Sequence, residues 1–246
     1  MNVLITGGSG DVGTELSKRL ILSGHAVVVY DLENRGLPDG VRFVEGDVRN
    51  FKHLAQAAEN CDSGIHLAAL AGEADAEDII STNLLGAFGF LVAARNAGFR
   101  NSVIASSAPV HIALNVPDDR PLLKTSPGAD HVYDLTKTLQ EMIARDFHAH
   151  GLQTLCLRLG HIVRGAEEMN LRRTVSLKNE DYCRGGWVAL EDVVDACAAA
   201  LETAPDAARF EILNIVGTRD ARERFRVAAA EKRLGIRLRY DFASYK

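Results

Sequence analysis

Tyr133 and Lys137 stand four residues apart in Tyr-Asp-Leu-Thr-Lys, one helical turn, so both side chains fall on one face. A free tyrosine has a pKa near about 10 and is a poor base at neutral pH. An ammonium a few ångströms away favours the phenolate and draws that pKa down. The phenol can then give or take the proton of an alcohol–ketone pair while a hydride moves at the carbon. A second group of residues suits the hydride carrier. Thr6-Gly7-Gly8-Ser9-Gly10-Asp11-Val12-Gly13 sets Gly7, Gly10 and Gly13 between an apolar run and a helical pattern. Glycines there allow a tight strand-to-helix turn, close backbone approach to a pyrophosphate and close helix–sheet packing. The helix N-terminus adds free N–H groups and a positive dipole end. Asp31 closes the next strand pattern. A carboxylate there accepts from ribose hydroxyls and repels a 2′-phosphate, which favours NAD over NADP. Asp11 is expected to point away from the phosphates and to suit the helix dipole as a first-turn acid.

The elements able to position these groups recur along the chain. Apolar runs at residues 3–5, 26–30, 41–44, 64–67, 102–105, 154–159 and 210–216 predict strands. Helical spacing over residues 12–22, 51–58, 76–97, 132–148 and 191–201 predicts helices. Strands alternating with helices imply an α/β fold, a doubly wound parallel sheet of Rossmann type with right-handed crossovers. Pro109, Pro117, Pro121 and Pro127 crowd residues 109–130, which predict a long loop of the kind that often carries function. Residues 164–186 are polar and irregular, and residues 221–239 alternate basic and apolar side chains as a solvated helix face would. No linker marks two independent units. Residues 1–246 therefore read as one dinucleotide-binding domain, with a small substrate region at 160–186 and 217–246.

Composition narrows the classes. The chain is 47% apolar and 25% charged, as ordinary globular proteins are. A net charge of −5 offers no nucleic-acid surface. No apolar run approaches the ~20 residues that span a bilayer, and no basic segment precedes the first apolar run as in a signal peptide. Cys61, Cys156, Cys183 and Cys197 form no metal-binding spacing. They read as reduced thiols of a cytoplasmic protein without a metal site.

Glycine turn, Ser106-Ser107 strand end and Tyr–Lys pair together resemble the extended branch of the short-chain dehydrogenase/reductase superfamily, the NAD-dependent epimerases and dehydratases. The resemblance covers residues 2 to about 201, and residues 233–242 resemble the family's closing motif with Leu238 where proline is usual. It implies NAD as cofactor. It also implies backbone contacts from Asp11 and Val12 to the pyrophosphate, and Asp31 with Leu32 at the adenosine ribose. Asp47 and Val48 would meet the adenine. Leu67, Ala68 and Ala69 would line the cofactor, and Ile162 would offer backbone to the carboxamide. Ser107, Tyr133 and Lys137 are the implied catalytic set, with Lys137 also on the nicotinamide ribose. Asn83 would shape the long helix and help relay protons. Trp187-Val-Ala-Leu-Glu-Asp192 resembles the segment that returns the late chain to the active site.

The chain also departs from the pattern. Ser107-Ala-Pro-Val-His111 lacks the family's Tyr-Gly, and His161 stands where asparagine is usual. Both histidines become substrate candidates, as does Arg184. Arg164, Arg172, Arg173 and Arg184 could meet a carboxylate or phosphate. In length the chain is similar to uronate dehydrogenases and shorter than sugar-nucleotide epimerases. The expected function is NAD-dependent hydride transfer at an alcohol or carbonyl of a small sugar-like substrate. The alternatives are a sugar epimerase or dehydratase and a non-catalytic NAD-binding regulator. The resemblance further implies a homodimer through the long helices, with no nucleic-acid or membrane partner.

Overall fold

A parallel strand covered on both faces must be apolar throughout, and Val3, Leu4 and Ile5 of β1 (Asn2–Thr6) have no solvent exposure. The computed structural model describes residues 1–71, 74–108, 131–164, 186–219, 222 and 225–242, with only the backbone of His131. After β1 come α1 (Asp11–Leu22), β2 (Ala26–Asp31), β3 (Val41–Glu45), α2 (Phe51–Ala58), β4 (Ser63–His66) and α3 (Ala76–Ala97). Then follow β5 (Asn101–Ser107), α4 (His131–Ala149), β6 (Thr154–Leu159), β7 (His161–Val163) and β8 (Trp187–Ala189). The last described elements are α5 (Leu190–Glu202), β9 (Glu211–Ile215) and α6 (Val227–Leu234).

The main sheet runs β3-β2-β1-β4-β5-β6-β9, with every pairing parallel. This is the doubly wound α/β fold expected from the strand–helix alternation. Strand order reverses between β1 and β4, and such a switch point opens a crevice at the strands' carboxyl ends. Side chains alternate across the sheet and divide the core in two. Val3, Ile5, Val27, Val29, Leu155 and Leu157 pack with Leu16 and Leu20 of α1 and Val193 and Cys197 of α5. Leu4, Val28, Tyr30, Ile104 and Cys156 pack on the other face with Leu54, Phe90, Leu91 and Ala144 of α2, α3 and α4.

The long helix departs from regularity. Residues Ser81–Leu85 form a π turn within α3, and Gly98 ends the helix in the left-handed conformation with φ 73°. By length and composition α3 could cross a bilayer, contrary to the expectation of no such run. Yet Gly86, Ala87, Phe90, Leu91 and Ala94 are buried. At Gly89 a Cβ would come within 2.7 Å of the Phe51 ring, so α2 and α3 touch backbone to side chain. That is how a core helix packs.

Two features were not expected. β7 and β8 pair in parallel as a separate two-stranded sheet, which brings residues 161–163 beside residues 187–189. The predicted helical stretch 221–239 holds a described helix only at Val227–Leu234, closed by Gly235 at φ 66°. The predicted strand at 64–67 sits one residue earlier, and that at 210–216 is shorter at each end. Residues 109–130 and 165–185 lie outside the described residues.

Side chains tie the late chain to the sheet. The Asn101 amide donates to the carbonyls of Ala200, Leu201 and Thr203 at 2.5, 3.1 and 2.8 Å, and so satisfies the open end of α5. Asp192, fully buried on α5, accepts from the N–H groups of Arg239 and Tyr240 at 2.9 and 3.1 Å. Removing that carboxylate strands two backbone donors. We expect Asp192→Ala to lower stability by about 3 kcal/mol in urea unfolding, with the segment after α6 becoming the first site of limited proteolysis.

Candidate active site

The glycine turn is shaped by contacts that no side chain could share. Gly7 has φ 72°, and a Cβ on it would lie 2.5 Å from the Ala68 nitrogen. A Cβ on Gly13 would lie 2.4 Å from the Gly8 Cα. Gly7 therefore lets β1 approach the strand-four end at Ala68, and Gly13 lets α1 close on the turn. Gly10 differs. It is exposed, its φ and ψ of −77° and 175° suit any residue, and its Cβ would meet only the Gly7 carbonyl at 3.5 Å. The protein does not need the missing side chain there, but a ligand lying across the turn would. Gly10 caps α1 with no side-chain hydrogen bond. Among the described residues, the N-cap thus offers the first N–H groups of α1 no side-chain acceptor at the place where a pyrophosphate would take them. These features fit a dinucleotide.

Asp31 is half-buried at the end of β2. Its Oδ2 accepts from the Ser9 N–H at 2.9 Å and its Oδ1 from the Leu32 N–H at 2.7 Å. The carboxylate thereby fastens the glycine turn to β2 while keeping lone pairs for ribose hydroxyls. Leu32 itself is exposed. Asp47 accepts from Arg49 Nε at 3.0 Å, and this bond holds its carboxyl below the usual carboxylate range. The Val48 side chain is buried against Gly86, which leaves only its backbone for an adenine. Leu67 and Ala68 are half-buried beside the turn and Ala69 is exposed. Val12 is half-buried against the core. Asp11 is exposed and pairs with Arg164, just beyond β7.

The Tyr133–Lys137 pair sits on α4 over the end of β5. Lys137 is buried, and its Nζ donates to the Ala105 carbonyl at 2.9 Å. The same nitrogen lies 5.6 Å from the centre of the half-buried Tyr133 ring. Burial pushes the Lys137 ammonium down to about 8, an effect that neighbouring Cys156 and Glu141 oppose. Ser107 ends β5, buried, two residues beyond the carbonyl that receives Lys137. His66 ends β4, with Nδ1 2.7 Å from the Thr6 hydroxyl; burial first and the Lys137 charge second push it down to about 3.

Asn83 lies in the π turn with its polar atoms committed. Its Oδ1 accepts from the Leu70 N–H at 2.8 Å, and its Nδ2 donates to the Leu70 carbonyl at 3.0 Å and to Thr136 Oγ1 at 2.9 Å. Its main-chain carbonyl accepts from Gln140 Nε2 at 2.7 Å. Asn83 thus joins the segment after β4 to the helix bearing Tyr133 and Lys137. Half-buried Ile162 and His161 lie on β7, beyond the end of β6. His111 and Arg184 lie outside the described residues.

Several groups beside the site were not anticipated. Glu141 and Arg158, both nearly free of solvent, form an ion pair below Lys137, with Ser106 donating to Glu141. Glu141 stands one turn beyond Lys137 on its helix face, so its spacing was a usable signal. Arg158 carried none, because its role depends on pairing across the sheet.

The NAD dependent epimerase/dehydratase family matches over residues 3–216. UDP-glucose 4-epimerase of Klebsiella pneumoniae is 34% identical over 45% of this chain and 92% of its own. UDP-glucose 4-epimerase of Streptomyces lividans is 29% identical over 61% of this chain; the match spans 48% of that enzyme's length. The structure of MoeE5 in complex with UDP-glucuronic acid and NAD superposes with a TM-score of 0.72 at 24% identity, covering 97% of this chain and 94% of that one.

The contrast between two glycines is testable. Gly7→Ala is expected to lower stability by about 1–3 kcal/mol in chemical unfolding, from strain at its positive φ and the clash with Ala68. Gly10→Ala should leave the unfolding midpoint unchanged while weakening dinucleotide affinity about tenfold in calorimetry.

Proposed function

The chain belongs to the NAD-dependent epimerase/dehydratase family, and from that premise we propose an oxidoreductase acting on an alcohol or carbonyl of a small sugar-like molecule. Membership makes it an NAD-dependent enzyme of the short-chain dehydrogenase/reductase superfamily. The observation that carries the finer reading is the buried Lys137 ammonium, set between the Ala105 carbonyl and the Tyr133 ring. A cation held there stabilises the Tyr133 phenolate far better than one in water, because the interior screens less.

When bound, NAD supplies the hydride acceptor or donor at the substrate carbon. Gly7, Gly10 and Gly13 with the backbone of Asp11 and Val12 would hold its pyrophosphate, and Asp31 with Leu32 its adenosine ribose. Asp47 and Val48 would face the adenine. Leu67, Ala68 and Ala69 would line the cofactor, and Ile162 would offer backbone to its carboxamide. During oxidation the Tyr133 phenolate removes the substrate hydroxyl proton as the C–H bond breaks; during reduction the phenol returns it. Ser107 donates a hydrogen bond to the reacting oxygen. Lys137 supports the phenolate and reaches the nicotinamide ribose. Asn83 braces the helix that carries both. His161 and Arg184 from the region 160–186, with His111 from the stretch 109–130, are the substrate contacts within this reading, and residues 217–246 complete the substrate region of a single unit.

A sugar-nucleotide epimerase or dehydratase is the second reading, and a specific observation favours it. Shortness does not exclude a nucleotide sugar: MoeE5, matched over 94% of its chain, was solved with UDP-glucuronic acid. The two readings separate on product, since net NADH appears only when the hydride is not returned.

The exposed apolar side chains Ile80, Leu85 and Phe88 of α3 and Met142 of α4 support a homodimer through these helices. The buried free thiols Cys61, Cys156 and Cys197 suit a cytoplasmic setting.

Tyr133→Phe should cut turnover at least about 100-fold on any substrate found in a panel of sugars and UDP-sugars, with NAD affinity retained. Undiminished turnover would overturn the assignment. Asp31→Ala should narrow the preference for NAD over NADP at least about tenfold in binding assays, since it removes the charge that repels the 2′-phosphate.

A further inference from the structure

Three ionisable side chains occupy one face of α4 at successive turns: Tyr133, Lys137 and Glu141. The first is half-buried, its ring centre 5.6 Å from Lys137 Nζ. The second is buried on the Ala105 carbonyl. The third lies deeper and is met from two strands at once. Ser106 and Arg158 are register partners across β5 and β6, so their side chains emerge side by side on the same face. Ser106 Oγ donates to Glu141 Oε1 at 2.5 Å. Arg158 Nε donates to Oε1 at 2.6 Å and Nη2 to Oε2 at 2.5 Å, a two-pronged pairing. Arg158 has no solvent exposure and Glu141 is 1% exposed, so water does not weaken this contact.

We propose that Glu141, clamped by Arg158 and Ser106, is a positioning residue that holds the Lys137 ammonium charged and in place beneath Tyr133. The argument rests on the reading of Tyr133 as proton carrier given above. Two physical points support it. First, the clamp is mechanical. Ser106 lies between Ala105, whose carbonyl takes Lys137, and Ser107, whose hydroxyl is assigned to the reacting oxygen. Tying Ser106 to α4 through Glu141 therefore fixes the distance between the strand and the helix that share the reaction. Second, the clamp is electrostatic. Lys137 faces Tyr133 and Glu141 on its own helix, Cys156 on β6 and His66 on β4, with Arg158 of β6 and Arg145 of α4 acting on Cys156. His66 stays neutral at physiological pH, since burial pushes it down to about 3. Burial likewise pushes the Cys156 thiol well up, so it stays protonated. Glu141 is then the anion in this layer that opposes the expulsion of the Lys137 proton. A purely structural ion pair would carry no such demand; buried pairs are often replaceable by apolar residues without loss of stability.

The test replaces the pair together, so that no lone charge is stranded. The probe is the ultraviolet absorbance of the Tyr133 phenolate, taken as the difference between the full-length chain and its Tyr133→Phe variant across pH. In the natural chain the midpoint should lie well below the free-tyrosine value of about 10. If it does not, the reading of Tyr133 as a tuned proton carrier fails, whatever the pair does. In Glu141→Gln/Arg158→Met, with folding checked by circular dichroism, the midpoint should rise by about one unit, a tenfold loss of phenolate at neutral pH. An unchanged midpoint in a folded double variant would overturn the positioning role and leave the pair structural. Ser106→Ala serves if the double variant does not fold, since it removes one donor and little volume. It should raise the midpoint in the same direction, by about twofold in phenolate, and an unchanged midpoint there overturns the proposal equally.

Discussion

An ammonium buried against a sheet is costly unless it is paid for by oriented dipoles and opposite charge. Lys137 meets that demand through the Ala105 carbonyl and the Glu141 carboxylate beneath it. Much of the surrounding architecture follows from the need to keep this one cation dry and charged. The helix that bears it must lie close on β5. The strand must end there, so that a carbonyl and then a serine are presented in succession. The neighbouring strand must supply Arg158 to balance Glu141. The proposed catalytic surface is the upper edge of a buried polar layer, and in this proposal the layer is as much a part of the site as Ser107 and Tyr133.

The cofactor half depends on a different constraint, steric exclusion. Gly7 and Gly13 are bound to their positions by close backbone contacts within the protein. Asp31 adds a polar fastening from the end of β2 to the Ser9 N–H. The turn is thus rigid before any ligand arrives, and a preformed cradle lowers the ordering cost of binding. The crevice lies where strand order reverses, so the glycine turn and the ends of β4 and β5 converge there.

Legibility in the sequence tracked how local each constraint is. Gly7, Gly10 and Gly13 were visible because their spacing encodes a backbone path. Tyr133 and Lys137 were visible because helical spacing alone makes them neighbours. The inner strands of the main sheet showed as apolar runs because both faces are covered, whereas the edge strand β3 is only half-buried. What stayed hidden depends on partners distant in the chain. β7 and β8 are three residues each, too short to show a period, and exist through their pairing. Arg158 reads as one arginine in a strand until the sheet sets it beside Ser106. Arg164 gave no hint that it would meet Asp11. Asn83 was singled out by resemblance, but its four bonds to Leu70, Thr136 and Gln140 arise from a turn that no local pattern announces.

That turn has a consequence for how the gene can change. Each residue of a regular helix advances the side-chain direction by about 100°. The π turn at Ser81–Leu85 holds a surplus residue, so the two halves of α3 are out of phase with each other. Asp78 on one side and Gly86 and Phe90 on the other keep their present neighbours only because of that offset. A single-codon deletion within the turn would restore a smooth helix and swing one half round its axis, carrying Asn83 off Thr136 or Phe90 out of its core. Point substitutions there can be absorbed one contact at a time, whereas a change in length cannot. The reading frame of this helix, rather than any single side chain in it, is the feature that descent must conserve.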